Sequence, residues 1–90
     1  MKYVMTYYPS EDFLALAREH VPAHRARLRE FHDRGLLLMA GPLDQPPSGE
    51  ALGIFTSREG AEEFIGDDPF VRGGVVAHWI IRPFADYFEA

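Results

Sequence analysis

The sequence predicts a single α+β domain with the element order β-α-β-β-α-β, and three observations support this prediction. Segments rich in valine, isoleucine and aromatic residues, which favour strands, lie near both ends of the chain. Two stretches with helical patterning lie between strands, and loops rich in glycine and proline separate the elements. A length of 90 residues suffices for one domain over residues 1–90. This order is typical of the ferredoxin-like fold, a four-stranded antiparallel sheet with both helices on one face.

The first half of the chain predicts a strand followed by a long helical region. Residues 2–8 form the strand, which Pro9 ends. Ser10 precedes two acidic residues and indicates a helix start, because acidic groups favour the positive end of the helix dipole. Pro22 interrupts the helical pattern, so we expect one bent helical region or two stacked pieces. Gly35 suits the left-handed position that closes a helix.

Three further strands are predicted at residues 36–41, 51–56 and 75–84. The strand at 36–41 is apolar at every position except its glycine, so we expect it to be covered on both sides. Residues 42–50 form a loop by composition, with a Pro-Pro-Ser-Gly run.

The second helix is predicted between the third and fourth strands. Thr56 or Ser57 caps it, and the pattern from Thr56 to Glu59 fits a capping box. Gly66 is expected to end it. Asp68 and the proline that follows it fit the N-cap and first position of one more helical turn.

An exposed sheet face predicts a homodimer. With both helices on one face, the other face would be bare in a monomer, yet the last strand is apolar on both faces. A bare apolar patch of that size marks an interface, so we expect two chains to stack sheet on sheet. The composition is 47% hydrophobic and 13% aromatic, which favours shared surface. Tyr87 and Phe88 in the tail are expected to pack as well.

Charge and composition argue against several functional classes. The formal net charge is −5, which opposes binding to nucleic acid and to anionic membranes. Residues 51–56 also lack the basic and aromatic pattern that stacks RNA bases. The chain has no cysteine, which excludes disulfides and thiolate chemistry and agrees with a cytoplasmic location. We expect no signal peptide and no membrane span.

His24 is the unusual residue of the first helix. Leu28 and Phe31 lie one and two turns further along the same face, so His24 belongs to the stripe that should pack against the sheet. It is either a satisfied core group or a functional one. His20 lies four residues earlier, but the HExxH pattern is absent and no metal site is predicted. His78 could face the dimer interface. The sequence assigns no definite role to His20 or to His78.

Asp68 has two interpretations. In the first, Asp68 is a helix cap and the neighbouring Asp67 lies in solvent. In the predicted fold, however, its loop and the first helix lie near the same edge of the sheet. Asp68 would then reach His24 and hold its tautomer, which is the support that a general base needs.

Several motifs give the chain a specific resemblance that spans nearly its whole length. They are His24 four residues before Leu28, the run Gly35-Leu36-Leu37-Leu38-Met39-Ala40-Gly41-Pro42, then Asp68-Pro69-Phe70, Gly74-Val75 and Ile81-Arg82-Pro83-Phe84. Together they resemble the YciI-like (YCII-related) family. The resemblance implies the dimeric α+β barrel form of the fold.

The resemblance also implies a site. The family's histidine and aspartate fall on His24 and Asp68 as the catalytic pair. The residues expected to contact the substrate are Arg25, Gly41, Pro42, Pro69 and Phe70. One departure concerns the basic residue that the family often carries shortly before its histidine. Here Arg18 or Arg25 would have to replace it.

The function expected from these features is acid–base catalysis without a cofactor or metal, of the isomerase or lyase type. Without a thiol, a glycine-rich phosphate loop or a metal motif, His24 acting as a base is the chemistry that the sequence offers. The resemblance implies proton abstraction or dehydrochlorination on a small cyclic, oxygenated molecule. The alternatives are a non-catalytic homodimer that binds a small ligand or regulates, and a protein that binds haem or a metal through a helical histidine.

Overall fold

The computed structural model describes residues 1–89 and has the predicted ferredoxin-like topology. Four antiparallel strands form one sheet in the order β2-β3-β1-β4. The elements are β1 (Lys2–Pro9), α1 (Phe13–Asp33), β2 (Leu37–Pro42), β3 (Ala51–Phe55), α2 (Arg58–Asp67), α3 (Pro69–Arg72) and β4 (Val76–Phe84). In the part of the chain that is described, no helix is both long enough and apolar enough to cross a bilayer.

The core lies between the sheet and the helices. Met5 and Tyr7 point from β1 towards the helices, because side chains alternate along a strand, and both are buried. Three fully buried phenylalanines join α1, β3 and α2. The ring of Phe64 lies edge-on to Phe31, with centroids 5.2 Å apart, and packs on Phe55 at 5.7 Å. Each such side chain contributes about 1.5–3 kcal/mol through burial.

The first helix is a single element, which agrees with the first predicted alternative, one helical region, and excludes the second, two stacked pieces. Pro22 lies inside it and leaves the carbonyl of Arg18 without its usual helical donor. Both residues are exposed, so water can bond that carbonyl. The helix begins at Phe13, with Asp12 and not Ser10 at its N-cap. Gly35 has φ +77°, the left-handed conformation that was predicted.

The second helix begins at the later of the two predicted caps and ends later than predicted. Ser57 Oγ accepts a hydrogen bond from Gly60 N at 2.9 Å, so the capping box from Thr56 is wrong. The helix continues through Gly66 to Asp67. It ends because Asp68, which precedes a proline, has ψ 124° and is extended.

One face of the sheet carries no helix. Val4, Thr6, Ile54, Ile80 and Phe84 alternate with inward-facing residues and define this open face. On it, Ile80 is 39% exposed and Phe84 44%.

The chain by itself leaves two predicted packing surfaces exposed. In β2, an edge strand, Leu37 is buried and the residues from Leu38 to Pro42 are exposed, so the chain does not cover this strand on both sides. Tyr87 and Phe88 are each 95% exposed, although we expected them to pack. Ion pairs nevertheless hold the tail, from the Met1 amino group to Glu89 and from Lys2 to both Asp86 and Glu89.

Candidate active site

A buried carboxylate lies at the centre of the candidate site and accepts hydrogen bonds from three elements. The Asp68 side chain is fully buried. Its Oδ1 lies 2.7 Å from His24 Nδ1 on α1 and 3.2 Å from the Phe70 backbone N–H of α3. The Tyr7 hydroxyl of β1 donates to Oδ2 at 2.6 Å. The predicted approach of Asp68 to His24 is therefore present, and Tyr7 joins it.

The local sequence explains why these groups meet. Asp68 ends α2 and is the N-cap of α3, and Pro69 fixes the first helical position. This junction turns the carboxylate inward. His24 lies on the same inward stripe of α1 as the buried Phe31. Tyr7 lies on the inner face of the central strand β1, two residues after the buried Met5.

Three donors offset the cost of burying Asp68. Removing a carboxylate from water costs several kcal/mol unless protein groups replace its hydration. A hydrogen bond to a charged group contributes about 1.5–3 kcal/mol. Deleting any one donor therefore leaves part of a buried charge without a partner, so each donor contributes to stability as well as to geometry.

Tyr7 acts as a donor in this arrangement. Burial raises the pKa of its phenol far above the usual value, and the neighbouring Asp68 charge and hydrogen bond raise it further. Its hydroxyl is therefore protonated across the physiological pH range and donates to Oδ2. It positions the carboxylate and does not act as a base.

The His24 ring is fixed on two sides. Its plane stacks on Phe70, with centroids 3.8 Å apart and an angle of 4° between the planes, and it lies edge-on to Phe64 at 6.2 Å. A carboxylate accepts hydrogen bonds, so Nδ1 carries the proton in the neutral ring. Nε2 then holds the lone pair. A fixed neutral imidazole of this tautomer is suited to accept a proton at Nε2.

An apolar cavity of about 340 Å³ lies beside His24, between α1 and the inner face of the sheet. Five of the predicted site residues line it, namely His24, Arg25, Gly41, Pro42 and Phe70. Asp68 lies behind the imidazole. Pro69 does not line the cavity, and its place in the structure is the first position of α3. Apart from His24, the described cavity lining contains two residues with acidic or basic side chains, Glu50 and Arg25.

The other histidines have different surroundings. His20 lies against Gly73 at the end of α3. His78 stacks on Tyr8, with ring centroids 5.3 Å apart. Tyr8 alternates with the inward-facing Tyr7, which places this pair on the helix-free side of the sheet. Among residues 1–89, no group of three or more histidine, aspartate or glutamate side chains is arranged to hold a metal ion.

The sequence analysis did not include Tyr7 in the site, although a signal for it was present. A tyrosine at an inward position of a central strand brings a hydroxyl into the core, and that hydroxyl needs a partner. The sequence does not identify this partner, because Asp68 is 61 residues away along the chain.

The fold and site together define a small ferredoxin-like α+β domain in which a histidine–aspartate pair borders an apolar cavity. The chain belongs to the YCII-related domain family, whose model matches residues 1–85. It is 34% identical to Protein YciI of Escherichia coli O6:H1 (strain CFT073) over 98 aligned positions, which cover 98% of this chain and all of the relative. Protein YciI of Shigella flexneri matches to the same extent.

A solved structure shares the fold. It is 5-chloro-2-hydroxyhydroquinone dehydrochlorinase (TftG) from Burkholderia phenoliruptrix AC1100, in complex with 2,5-dihydroxybenzoquinone. The TM-score is 0.77 over 94% of each chain, and the sequences are 19% identical. At this identity the likeness establishes the fold.

Tyr7→Phe tests the contribution of the phenol to stability. Because Asp68 loses a donor while the ring volume is kept, we expect the free energy of unfolding to fall by about 1.5–3 kcal/mol. Urea unfolding at neutral pH measures this change. Tyr8→Phe is the matched control, since Tyr8 is partly exposed and lies next to His78, and we expect its effect to stay below about 0.5 kcal/mol.

The difference in free energy of unfolding between wild type and Tyr7→Phe should also depend on pH, which provides a second check. The folded state keeps the Tyr7 proton, whereas an unfolded tyrosine loses it near its ordinary pKa of 10.0. The stabilisation is therefore fully present below about pH 10 and is lost as the pH rises further. Equal stability of Tyr7→Phe and wild type at neutral pH would contradict the assigned hydrogen bond.

Proposed function

We propose that this chain is a cofactor-independent acid–base enzyme in which His24 Nε2 takes a proton from a small cyclic, oxygenated substrate. The observation that carries the proposal is the hydrogen bond of 2.7 Å between His24 Nδ1 and the fully buried Asp68, beside an apolar cavity. Asp68 orients the imidazole, and Tyr7 and the Phe70 N–H position Asp68. This arrangement keeps a lone pair available at Nε2.

The proposed step is proton abstraction next to a carbonyl. Nε2 takes the proton, the C–H bond breaks, and its electron pair moves into the adjacent bond to form an enolate. In an isomerisation, the imidazolium returns the proton to another carbon. In an elimination, the electron pair expels chloride from the neighbouring carbon, and His24 later releases its proton to water. A chlorinated hydroquinone enters the reaction as its keto tautomer, in which the carbon that carries chlorine is sp³. His24 then takes the proton of the hydroxyl para to the new carbonyl, and the electron pair moves through the conjugated C=C bond and expels chloride, which leaves a quinone. The substrate then loses one proton and one chloride.

The cavity supports a ring compound as substrate. A volume of about 340 Å³ suits one ring with its substituents, and lining side chains such as Leu28 and Phe70 favour an apolar ring face. TftG is a dehydrochlorinase, and its structure holds a dihydroxybenzoquinone. Its fold likeness makes chlorinated hydroquinones sensible members of a substrate panel. Arg25 at the cavity supplies a cation for an oxygen substituent.

The active species is proposed to be a homodimer formed through the open face. Ile80 and Phe84 of β4 are 39% and 44% exposed there, with Arg82 between them on the same face. Val4 and Ile54 add apolar surface on the neighbouring strands β1 and β3. Water is excluded from this face when two sheets stack, as in other sheet-on-sheet packings.

His24→Ala tests the assigned base, with His20→Ala as the matched control from the same helix. A panel of cyclic ketones, an unconjugated cyclohexenone and chlorinated hydroquinones is assayed for deuterium incorporation, isomerisation and chloride release. We expect His24→Ala to lose about 10²–10⁴-fold in rate, because that is the usual contribution of a general base. His20→Ala should keep wild-type activity, since His20 lies against Gly73 and outside the cavity lining.

Equal activity of wild type and His24→Ala would contradict the proposed base. Binding of panel compounds beside His24 without exchange or turnover would contradict catalysis. It would instead favour the alternative, a non-catalytic homodimer that binds a small ligand in the same cavity.

Asp68→Ser tests whether Asp68 fixes the His24 tautomer. Serine keeps an N-cap group for α3 but is too short to reach Nδ1. In wild type, at a pH at which the ring is neutral, we expect long-range ¹H–¹⁵N spectra to show a protonated Nδ1 and an unprotonated Nε2. In Asp68→Ser the two nitrogen shifts should move towards each other as the tautomers mix.

Asp68→Asn is the conservative control for this measurement. Its amide oxygen can accept from both His24 Nδ1–H and Phe70 N–H while its NH₂ faces the Tyr7 oxygen, so the tautomer should be retained. An unchanged tautomer in Asp68→Ser would show that another contact orients the ring.

Ile80→Glu tests the homodimer. Light scattering after gel filtration should give about twice the chain mass of 10.2 kDa for wild type and one chain mass for the variant. A carboxylate in the centre of an apolar interface costs several kcal/mol. Ala26→Glu, which adds the same charge at an exposed position of α1, should leave the dimer intact. A monomeric wild type would contradict the proposed interface.

A further inference from the structure

A second hollow lies along the same helix as His24 and is basic. It runs between α1 and the edge strand β2, and its polar lining comes from Arg25, Arg29 and His32. These three residues follow one another at four and three positions, which places them on one stripe of the helix. Leu38 and Met39, which are 42% and 71% exposed, form its apolar wall. We call this hollow the arginine groove.

The arginine groove continues directly from the cavity beside His24. Arg25 lines both, as do three apolar residues at the boundary, Leu28, Leu37 and Ala40. The lining of the groove contains no acidic side chain among the described residues, whereas the cavity contains Glu50. The chain has a net charge of −5, yet this concave basic stripe opens into the candidate site. Such a stripe favours a negatively charged ligand.

Arg27 in this half of α1 and Arg34 just after its end have structural partners. Arg27 donates to the backbone carbonyls of Phe64 and Glu63 at 3.0 and 2.7 Å, and Arg34 binds the Glu63 carboxylate at 2.8 Å. Arg29 has a looser contact, 3.9 Å to Asp33, and both side chains are well exposed. An exposed ion pair of this kind contributes little to stability. Arg29 can therefore exchange Asp33 for an acceptor with better geometry.

We propose that the substrate carries a carboxylate that binds in the arginine groove between Arg25 and Arg29 while its ring lies beside His24. This inference deepens the proposed function and depends on it. Arg29 follows His24 by five residues, which is about 7.5 Å along the helix axis. Because the groove opens from the cavity, the substrate is a ring with a short acidic side chain. An arginine fork binds a carboxylate through two parallel hydrogen bonds, which also fixes the orientation of the ring.

The test compares binding of two probes of equal shape, para-hydroxyphenylpropionate and its neutral amide. Calorimetry gives the affinities, and NMR signals of the His24 ring report whether the ring of the probe is in the cavity. We expect the acid to bind at least about tenfold more tightly than the amide to wild type. Arg25→Gln with Arg29→Gln should remove this preference. Arg18→Gln should keep it, since Arg18 is exposed on α1 and lines neither hollow.

The outcomes separate this inference from the proposed function, because the measurement is of binding. Equal affinity for acid and amide, with both shifting the His24 signals, would overturn the carboxylate and leave the site in place. A preference for the acid that survives the double arginine variant would also overturn it. If neither probe shifts the His24 signals, the inference and the proposed cavity site both fail.

Discussion

A carboxylate that has lost contact with water must find its hydrogen-bond donors inside the protein, and Asp68 finds three of them. They come from β1, α1 and α3, so the carboxylate is satisfied when these elements are packed together. The sheet, the long helix and the helical junction are thereby held in one arrangement. The group that gives His24 its orientation is thus also a group on which tertiary packing depends.

The position of Asp68 follows from local backbone preferences. A residue before proline is disfavoured in the helical region, so α2 ends there, and an aspartate with extended backbone is a good cap for the next turn. One oxygen, Oδ1, serves both the cap and the imidazole. The sequence Asp68-Pro69-Phe70 therefore determines both where α2 ends and how the site is arranged. Phe70 contributes to the site by stacking on His24.

The sequence predicted the topology because strand and turn signals are local, and it predicted the His24–Asp68 pair because the motifs are specific. Other features depend on a stronger local signal or on contacts between distant residues. The pattern at Pro22 left two alternatives open, one bent helical region or two stacked pieces, and α1 is one helix that packs Phe31 and Leu28 on the core. Gly66 suggested a helix end, yet the end is set by the following Asp-Pro. The role of Tyr7 depends on a contact across 61 residues, which no local pattern contains.

The long helix distributes its functions by face. Phe31 packs in the core, His24 borders the cavity, and Arg27 ties α1 to the end of α2 through two backbone carbonyls. The stripe of Arg25 and Arg29 faces the edge strand, where β2 offers apolar side chains but no acidic partner in the groove lining. A continuous helix keeps the spacing between base and arginines constant, because its rise per residue is fixed. An unbroken helix from His24 to Arg29 is therefore a condition for the proposed site.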